Sequence, residues 1–336
     1  MSAGQMTDRL AAWLRERFDG EELVSVERLT GGNSNETYRI ETSAGSRIMR
    51  RPPPTTIDAS SNSMTREHRV LVSLARTDVP APRPLALCED TAVVGVPFIL
   101  MELVEGMAPS ANLPEAYATD ADGAGRAIVE ALASLHGARW RELDLDGFGR
   151  PDGFLERQVS RWRTQYERYK VRDLPEFEPL ARWLEQNRPP ESEPAILHGD
   201  FHADNCLLTL EAPPRVAAIL DWEMATIGDP LLDLGLLLAF WGDERPSPPA
   251  MPRVQAFSRG IGAPSRAELA AHYEAAGGRS VEHLDYYLAL AFWKLAAIVE
   301  GAYALFVKGE TDDEYSRALG EDVPRLLSEA AGFAGL

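Results

Sequence analysis

Cysteine is scarce in this chain: two among 336 residues, Cys88 and Cys206, with no Cys-x-x-Cys pair. That excludes a disulfide framework and a thiolate zinc or dithiol redox site, and makes a reducing cytoplasm the expected compartment. Cations are in deficit as well, 34 Lys and Arg against 52 Asp and Glu, for a net charge of −18. Such a charge argues against a general affinity for nucleic-acid phosphates or an anionic membrane and is compatible with cationic or simply small partners, without identifying one. The first residues lack the basic start and unbroken apolar run of a signal peptide and instead place Leu10, Trp13, Leu14 and Phe18 on one face of a helix. Tyr286 to Val307 is long enough to cross a bilayer, but Lys294 and Glu300 interrupt it and predict a buried core helix. Also missing are a Gly-x-x-x-x-Gly-Lys-Ser/Thr phosphate loop, a His-Glu-x-x-His zinc helix and a Gly-x-Ser-x-Gly elbow. The stretch Gly147 to Gly153 has the wrong spacing for a dinucleotide fingerprint.

What is present is enough apolar residue, 45%, for a large core divided into two lobes. From Val24 to Leu103 the chain reads as short β-like runs, LVSVERLT, ETYRIET, SRIMR and TAVVGVPFILMEL, with one helical insert, NSMTREHRVLVSLAR. Pro52 to Pro54 ends the SRIMR run, and VPAPRP, Val79 to Pro84, reads as an extended connector. After Glu105-Gly106 the apolar spacing becomes helical and stays so except near residues 196–221. The expected fold is therefore α+β, with a small antiparallel-sheet lobe over 1–104 and a larger, mainly helical lobe over 105–336.

The interruption is the informative part. ILHGDFHADNCLL, Ile196 to Leu208, sets His, Asp and Asn between two apolar runs, which predicts a polar loop between short strands. Asp200 and Asn205 lie five positions apart, and Asp221 follows at the end of the β-like run RVAAIL. Mg²⁺ takes oxygen ligands, one or two of them carboxylates, together with substrate phosphates. Asn205 and Asp221 have that chemistry, and Asp200 is left to accept the proton of an attacking hydroxyl.

HGDFHADN followed by ILDWE resembles the catalytic and metal loops of the aminoglycoside-phosphotransferase-like branch of the protein-kinase fold. The resemblance extends over nearly the whole chain. Within that branch, GGNSNETY, RIMRRPP, REHRVL and the late FWKLAAIVEGAYALF look most like the kinase-like proteins related to the domain fused to certain acyl-CoA dehydrogenases. It implies a two-lobe kinase-like fold and transfer of the γ-phosphoryl group of ATP or GTP, with Mg²⁺, to a hydroxyl of a small acceptor. Residue by residue it implies Asp200 as the base, Asn205 and Asp221 as metal ligands, and Glu67 as partner of the cation that orients the nucleotide. It also implies a phosphate-covering loop with Gly31, Gly32, Ser34 and Asn35, and a hinge at Met101, Glu102, Leu103 and Val104. The cation departs from the pattern: Arg50 stands where lysine is usual, with Arg51 on the opposite strand face.

Other polar residues carry plainer expectations. Asp229 before Pro230 reads as a helix cap, and for Asp233, one turn on, the resemblance to the kinase fold implies a structural role holding the catalytic-loop backbone. His198 reads as a satisfied core histidine and Trp222 as packing; Glu223 is expected at the surface or behind the metal, and His202 either borders substrate or faces solvent. A hydroxyacyl-CoA-like acceptor, which the resemblance implies, would want a basic, apolar cleft; the basic, aromatic-rich helix over Val159 to Arg172 could line one, but reads more commonly as an ordinary amphipathic surface helix, and an aminoglycoside-like acceptor would want acidic residues. The Arg50 departure also allows a nucleotide-binding regulator without turnover.

Overall fold

The computed structural model describes residues 3–29, 35–53, 64–242 and 249–336. Gly31, Gly32 and Ser34 of the expected phosphate loop lie outside the described residues. A five-stranded antiparallel sheet comprises β1 (Leu23–Leu29), β2 (Glu36–Thr42), β3 (Gly45–Arg51), β4 (Pro84–Cys88) and β5 (Phe98–Glu102), in the order β1-β2-β3-β5-β4. Both faces of the sheet are covered. Helix α1 (Ala3–Arg17) lays Leu10 and Leu14 on Tyr38, Ile40, Met49, Phe98 and Leu100, with Trp13 edge-on to Phe98 at 4.9 Å. The alternate β5 residues, Ile99 and Met101, face α2 (Met64–Leu74) and join its Val70, Leu71 and Leu74 in the main core. One strand thus serves two cores because successive side chains point to opposite faces.

The same alternation separates the two arginines that end β3. Arg51 points to the α1 face, where it is buried and bonds Glu36 at 2.8 Å, the Tyr38 hydroxyl at 3.0 Å and the Val94 carbonyl at 2.8 Å. Arg50 points to the α2 face and the cleft. Two details differ from the sequence reading. TAVV is not extended: it forms the short helix α3 (Thr91–Val94), because Asp90 accepts the Ala92 N–H at 2.8 Å and Gly95 closes the end with a positive φ of 92°. The prolines of the connector lead directly into β4, an edge strand where a missing N–H costs nothing.

The helical lobe contains α4 (Ala121–Gly137), α5 (Glu156–Tyr169), α6 (Phe177–Gln186), α7 (Leu231–Phe240), α8 (Arg266–Ala275), α9 (Leu284–Val307) and α10 (Glu314–Ala334). Helix α9 is long and apolar enough to span a bilayer, yet Tyr287, Leu290, Trp293 and Ala297 are buried in the core against α5, α6, α7 and α10. Its buried Glu300 is paired with Arg172 at 3.0 Å, which makes an interior carboxylate tolerable.

Two short antiparallel pairs interrupt the helices, β6 (Ala195–Leu197) with β9 (Thr226–Gly228) and β7 (Cys206–Leu208) with β8 (Val216–Ile219). The backbone stitches β8 to the sheet lobe, where Ile219 N–H donates to the Pro80 carbonyl at 2.8 Å, and β7 to the segment just after the hinge, where Met107 exchanges hydrogen bonds with Leu208 at 3.0 and 2.9 Å. Three arginines of the α2 region reinforce the join. Arg66 donates to the Ala225 carbonyl at 3.0 Å, Arg69 to the Asp144 and Asp146 carbonyls at 2.6 and 2.8 Å, and Arg76 pairs with Asp144 at 2.7 Å.

Candidate active site

The loop from His198 to Asn205 leaves β6 through a turn that its sequence makes obligatory. Gly199 has φ +86°, and a Cβ there would lie 2.4 Å from the Met224 carbonyl oxygen. Only glycine fits both constraints. Gly199→Ala is therefore expected to destabilise the protein by roughly 1–3 kcal/mol and to displace the loop, read as a lower urea midpoint together with lost nucleotide turnover. Behind the turn, the buried Asp233 of α7 accepts the N–H groups of His198 and Gly199 at 2.7 and 2.9 Å, the anchoring role the resemblance implies. Asp229 caps the same helix through the Leu231 N–H at 3.1 Å and also takes the Ser192 N–H and the Tyr287 hydroxyl.

His198 is fully buried and internally satisfied: Nε2 donates to the Leu220 carbonyl at 2.7 Å, and Nδ1 accepts the Asp200 N–H at 3.3 Å. It holds the loop to the end of β8 and presents no group to the cleft. Asp200 beyond it is half-exposed, with His202 Nε2 at 3.7 Å from its Oδ2. Burial works to raise the Asp200 pKa, but the contact and charge of His202, with the Lys294 ammonium, outweigh it and hold the carboxyl down at about 2. His202 therefore borders the site. The Asn205 amide donates to the Asp200 carbonyl at 2.9 Å and lies 3.1 Å from His202 Nε2, which orients Oδ1 away from Asp200.

Facing this loop, Asp221 follows β8 with φ +66°, a left-handed conformation uncommon for a non-glycine residue and best tolerated by Asn and Asp. The Arg50 guanidinium gathers three carboxylates: Glu67 at 3.2 Å, Asp221 in direct contact, and Glu223 at 3.6 Å. Asn35, expected in the phosphate loop, donates to Glu223 at 2.7 Å, while its own Oδ1 is buried without a hydrogen-bond partner among the described residues. Glu223 is thus mostly covered, 14% exposed, and inside the ion-pair network rather than at the surface. The turn that follows Asp221 swings it inward, which a linear reading does not register. Trp222 is buried packing, as its type suggests.

Burial pushes the Glu67 carboxyl up to about 7 against the opposing charge of Arg50, with Asp221 and Glu223 adding to the rise. The folded state therefore holds this proton more tightly than the unfolded chain does, so the stabilisation is full below pH 4.5 and lost as pH rises through about 7. Accordingly, the Tm difference between the wild type and Glu67→Gln should move in favour of the wild type as pH falls from 8.5 to 5.5. A pH-independent difference would refute this.

Lys294 is the residue the sequence undervalued. It is the sole cation of α9 and lies 5.2 Å from the centroid of the Trp162 ring; burial lowers its pKa while the charges of Asp200 and Asp233 support the ammonium form. Of the hinge residues, Met101 is buried on β5, and Glu102 is tied to Arg83 by its N–H at 3.0 Å and its carboxylate; Leu103 and Val104 follow in non-helical chain.

A family model described as "Phosphotransferase enzyme family" matches residues 25–272. The chain belongs to this phosphotransferase family. The structure superposes at TM-score 0.83 on a crystal structure from Ralstonia eutropha provisionally described as an aminoglycoside phosphotransferase, with 30% identity over 98% of each chain. It is also 32% identical to acyl-CoA dehydrogenase family member 11 of Pongo abelii over 321 residues, which is 91% of this chain and 40% of that protein. The chain thus spans about two fifths of the length of that relative. A more distant fold neighbour, the GDP and kanamycin complex of APH(2")-IIia, aligns at TM-score 0.63 and 15% identity over 96% of this chain and 97% of that one. The kinase-like, two-lobe phosphotransferase fold expected from HGDFHADN and ILDWE is the fold observed.

Proposed function

We propose that the protein is a small-molecule kinase that transfers the γ-phosphoryl group of ATP or GTP to a substrate hydroxyl. The observation that carries this reading is the convergence, in a phosphotransferase fold, of the Asp200–Asn205 loop with the Asp221 segment, joined by the Leu220 N–H to the Asn205 carbonyl at 2.7 Å, and of Asp221 with the Arg50–Glu67 pair. The acceptor oxygen forms a bond to the γ-phosphorus, the bond from that phosphorus to the β,γ-bridging oxygen breaks, and ADP or GDP leaves. Asp200, ionised at neutral pH, orients the hydroxyl and takes its proton as the new bond forms; a weakly basic carboxylate suffices where little charge develops on the nucleophile. Arg50 would clamp nucleotide phosphates with Glu67 and Glu223 holding its fork, Asn35 would sit beneath the Gly31, Gly32 and Ser34 loop, and Met101 to Val104 would border the base. Residues 1–104 would form the nucleotide lobe and 105–336 the catalytic and acceptor lobe.

Among the described residues no three His, Cys, Asp or Glu side chains converge as a ready-made metal centre. Asn205 Oδ1 and the Asp221 carboxylate nevertheless suit Mg²⁺, which completes its shell with phosphate oxygens and water. Bound there, Mg²⁺ would neutralise charge on the transferring phosphates. The direct contact of Arg50 with Asp221 supports a second reading, a nucleotide-binding regulator in which the guanidinium keeps the metal ligand engaged. The two buried, unpaired cysteines suit a cytoplasmic location.

The test is ADP and GDP release with Mg²⁺ over hydroxyacyl-CoA esters, aminoglycosides, macrolides and amino alcohols. Acceptor-dependent release is expected. Nucleotide binding without release for any acceptor would favour the regulator, and absence of nucleotide binding would remove both readings.

A further inference from the structure

Beside the site lies an open cavity of about 530 Å³ whose walls invert the charge of the molecule. Arg66, Arg150, Arg157 and Arg161 line it together with Phe148, Phe154, Gln158, Ser160 and Thr226, and no Asp or Glu is among the lining residues. In a chain with 52 acidic residues against 34 Lys and Arg, four convergent arginines are a local reversal. Three of them, Arg150, Arg157 and Arg161, are also poorly neutralised. Arg157 donates to the carbonyls of Asp152 and Arg150, Arg161 lies 5.0 Å from the centroid of Trp162, and neither these two nor Arg150 makes an ion pair with an Asp or Glu among the described residues. Arg157 and Arg161 stand one helical turn apart on α5, a like-charge spacing that weakens a helix unless an anion lies between them. Arg66 is fixed across the cavity by the Ala225 carbonyl and by the Phe148 ring at 3.9 Å.

The cavity adjoins the reacting groups. Thr226 pairs with Leu197, the residue before His198, and Ala225 lies two residues after the Asp221-Trp222-Glu223 turn. The Trp162 ring that carries Arg161 also carries Lys294, whose charge reaches Asp200.

The geometry points to a subsite for the acceptor: the cavity binds a phosphate or pyrophosphate group that the acceptor carries at a distance from the hydroxyl being modified. Guanidinium forks match phosphate oxygens bidentately, and four of them suit a multivalent anion. A polycationic acceptor is disfavoured by the same charges. The inference rests on the phosphotransferase reading, but its test does not require turnover.

The experiment is calorimetric titration of the full chain with inorganic pyrophosphate at 150 mM salt, for the wild type, Arg150→Gln/Arg161→Gln and, as an exposed control on α6, Arg182→Gln. Arg150 and Arg161 are exposed and form no backbone anchor, so the double variant should fold; Mg-AMP-PNP binding to each protein checks the nucleotide site independently. Saturable pyrophosphate binding that weakens at least tenfold in the double variant, is kept in the control, and persists with Mg-AMP-PNP saturating would support the subsite. Equal binding in wild type and double variant, displacement of pyrophosphate by Mg-AMP-PNP, or no saturable binding would overturn it. If neither Mg-AMP-PNP nor Mg-GMP-PNP binds any of the three, the phosphotransferase reading fails instead, whatever pyrophosphate does.

Discussion

Asp200→Asn is expected to lower acceptor-dependent nucleotide turnover by about 10²–10⁴-fold while leaving Mg-nucleotide affinity within a few-fold of the wild type. The amide keeps the size of the side chain but cannot take the proton of the attacking hydroxyl. The loop should survive the change, because Asp233, His198 and Gly199 hold it and the Asp200 side chain is half-exposed. A stopped assay of ADP or GDP release, with nucleotide binding measured by calorimetry, separates the outcomes. Turnover unchanged in the variant would remove Asp200 as the proton acceptor. Because that carboxyl is held at about 2, it stays ionised throughout the working range, so an acid limb near neutrality in the rate profile would belong to another group, with Glu67 at about 7 the one in the network.

Arg50→Ala should be the most destabilising substitution at the site, by about 3–5 kcal/mol. It leaves Glu67, which is 2% exposed, together with Asp221 and Glu223, facing one another without their shared cation. For a chain of this length the loss should appear as a fall in Tm of several degrees, on the order of 1–2 °C per kcal/mol. Arg50→Lys restores the charge but not the fork, since one ammonium cannot reach Glu67 and Asp221 in the planar geometry of a guanidinium. It should recover most of the stability and still raise the KM for nucleotide. If Arg50→Lys instead matches the wild type in both, the arginine is interchangeable with the usual lysine and its fork has no special role.

How far the chain could be read without coordinates follows the range of the forces involved. HGDFHADN is legible because its information is local: apolar triplets on each side become β6 and β7, Gly199 makes the turn, and the polar residues have nowhere to go but the loop between. Asp233 stood out as a single carboxylate on an otherwise apolar helix, but its tie to the loop came from the kinase-fold resemblance, since the amides it meets lie 35 and 34 positions away. The alternation of β3 separated Arg50 from Arg51 before any partner was known.

Three features lay beyond that reach. TAVV has the composition of a strand, but capping by Asp90 and Gly95 outweighs β propensity over four residues. Glu223 belongs to the ion-pair network only because Asp221 adopts a left-handed turn and Arg50 arrives from a strand 171 positions earlier than Asp221. Lys294 and the arginines of α5 have ordinary spacings along their helices; their proximity to Asp200 and to Arg66 exists only after α5, α9 and α2 pack. Side-chain type, short-range pattern and motif spacing thus specified the fold and the candidate site loops, because both rest on neighbours along the chain. Tertiary packing alone decided which charges meet around Arg50 and where four arginines come to line one cavity, because Coulomb interactions depend on distance in space and not on separation in sequence.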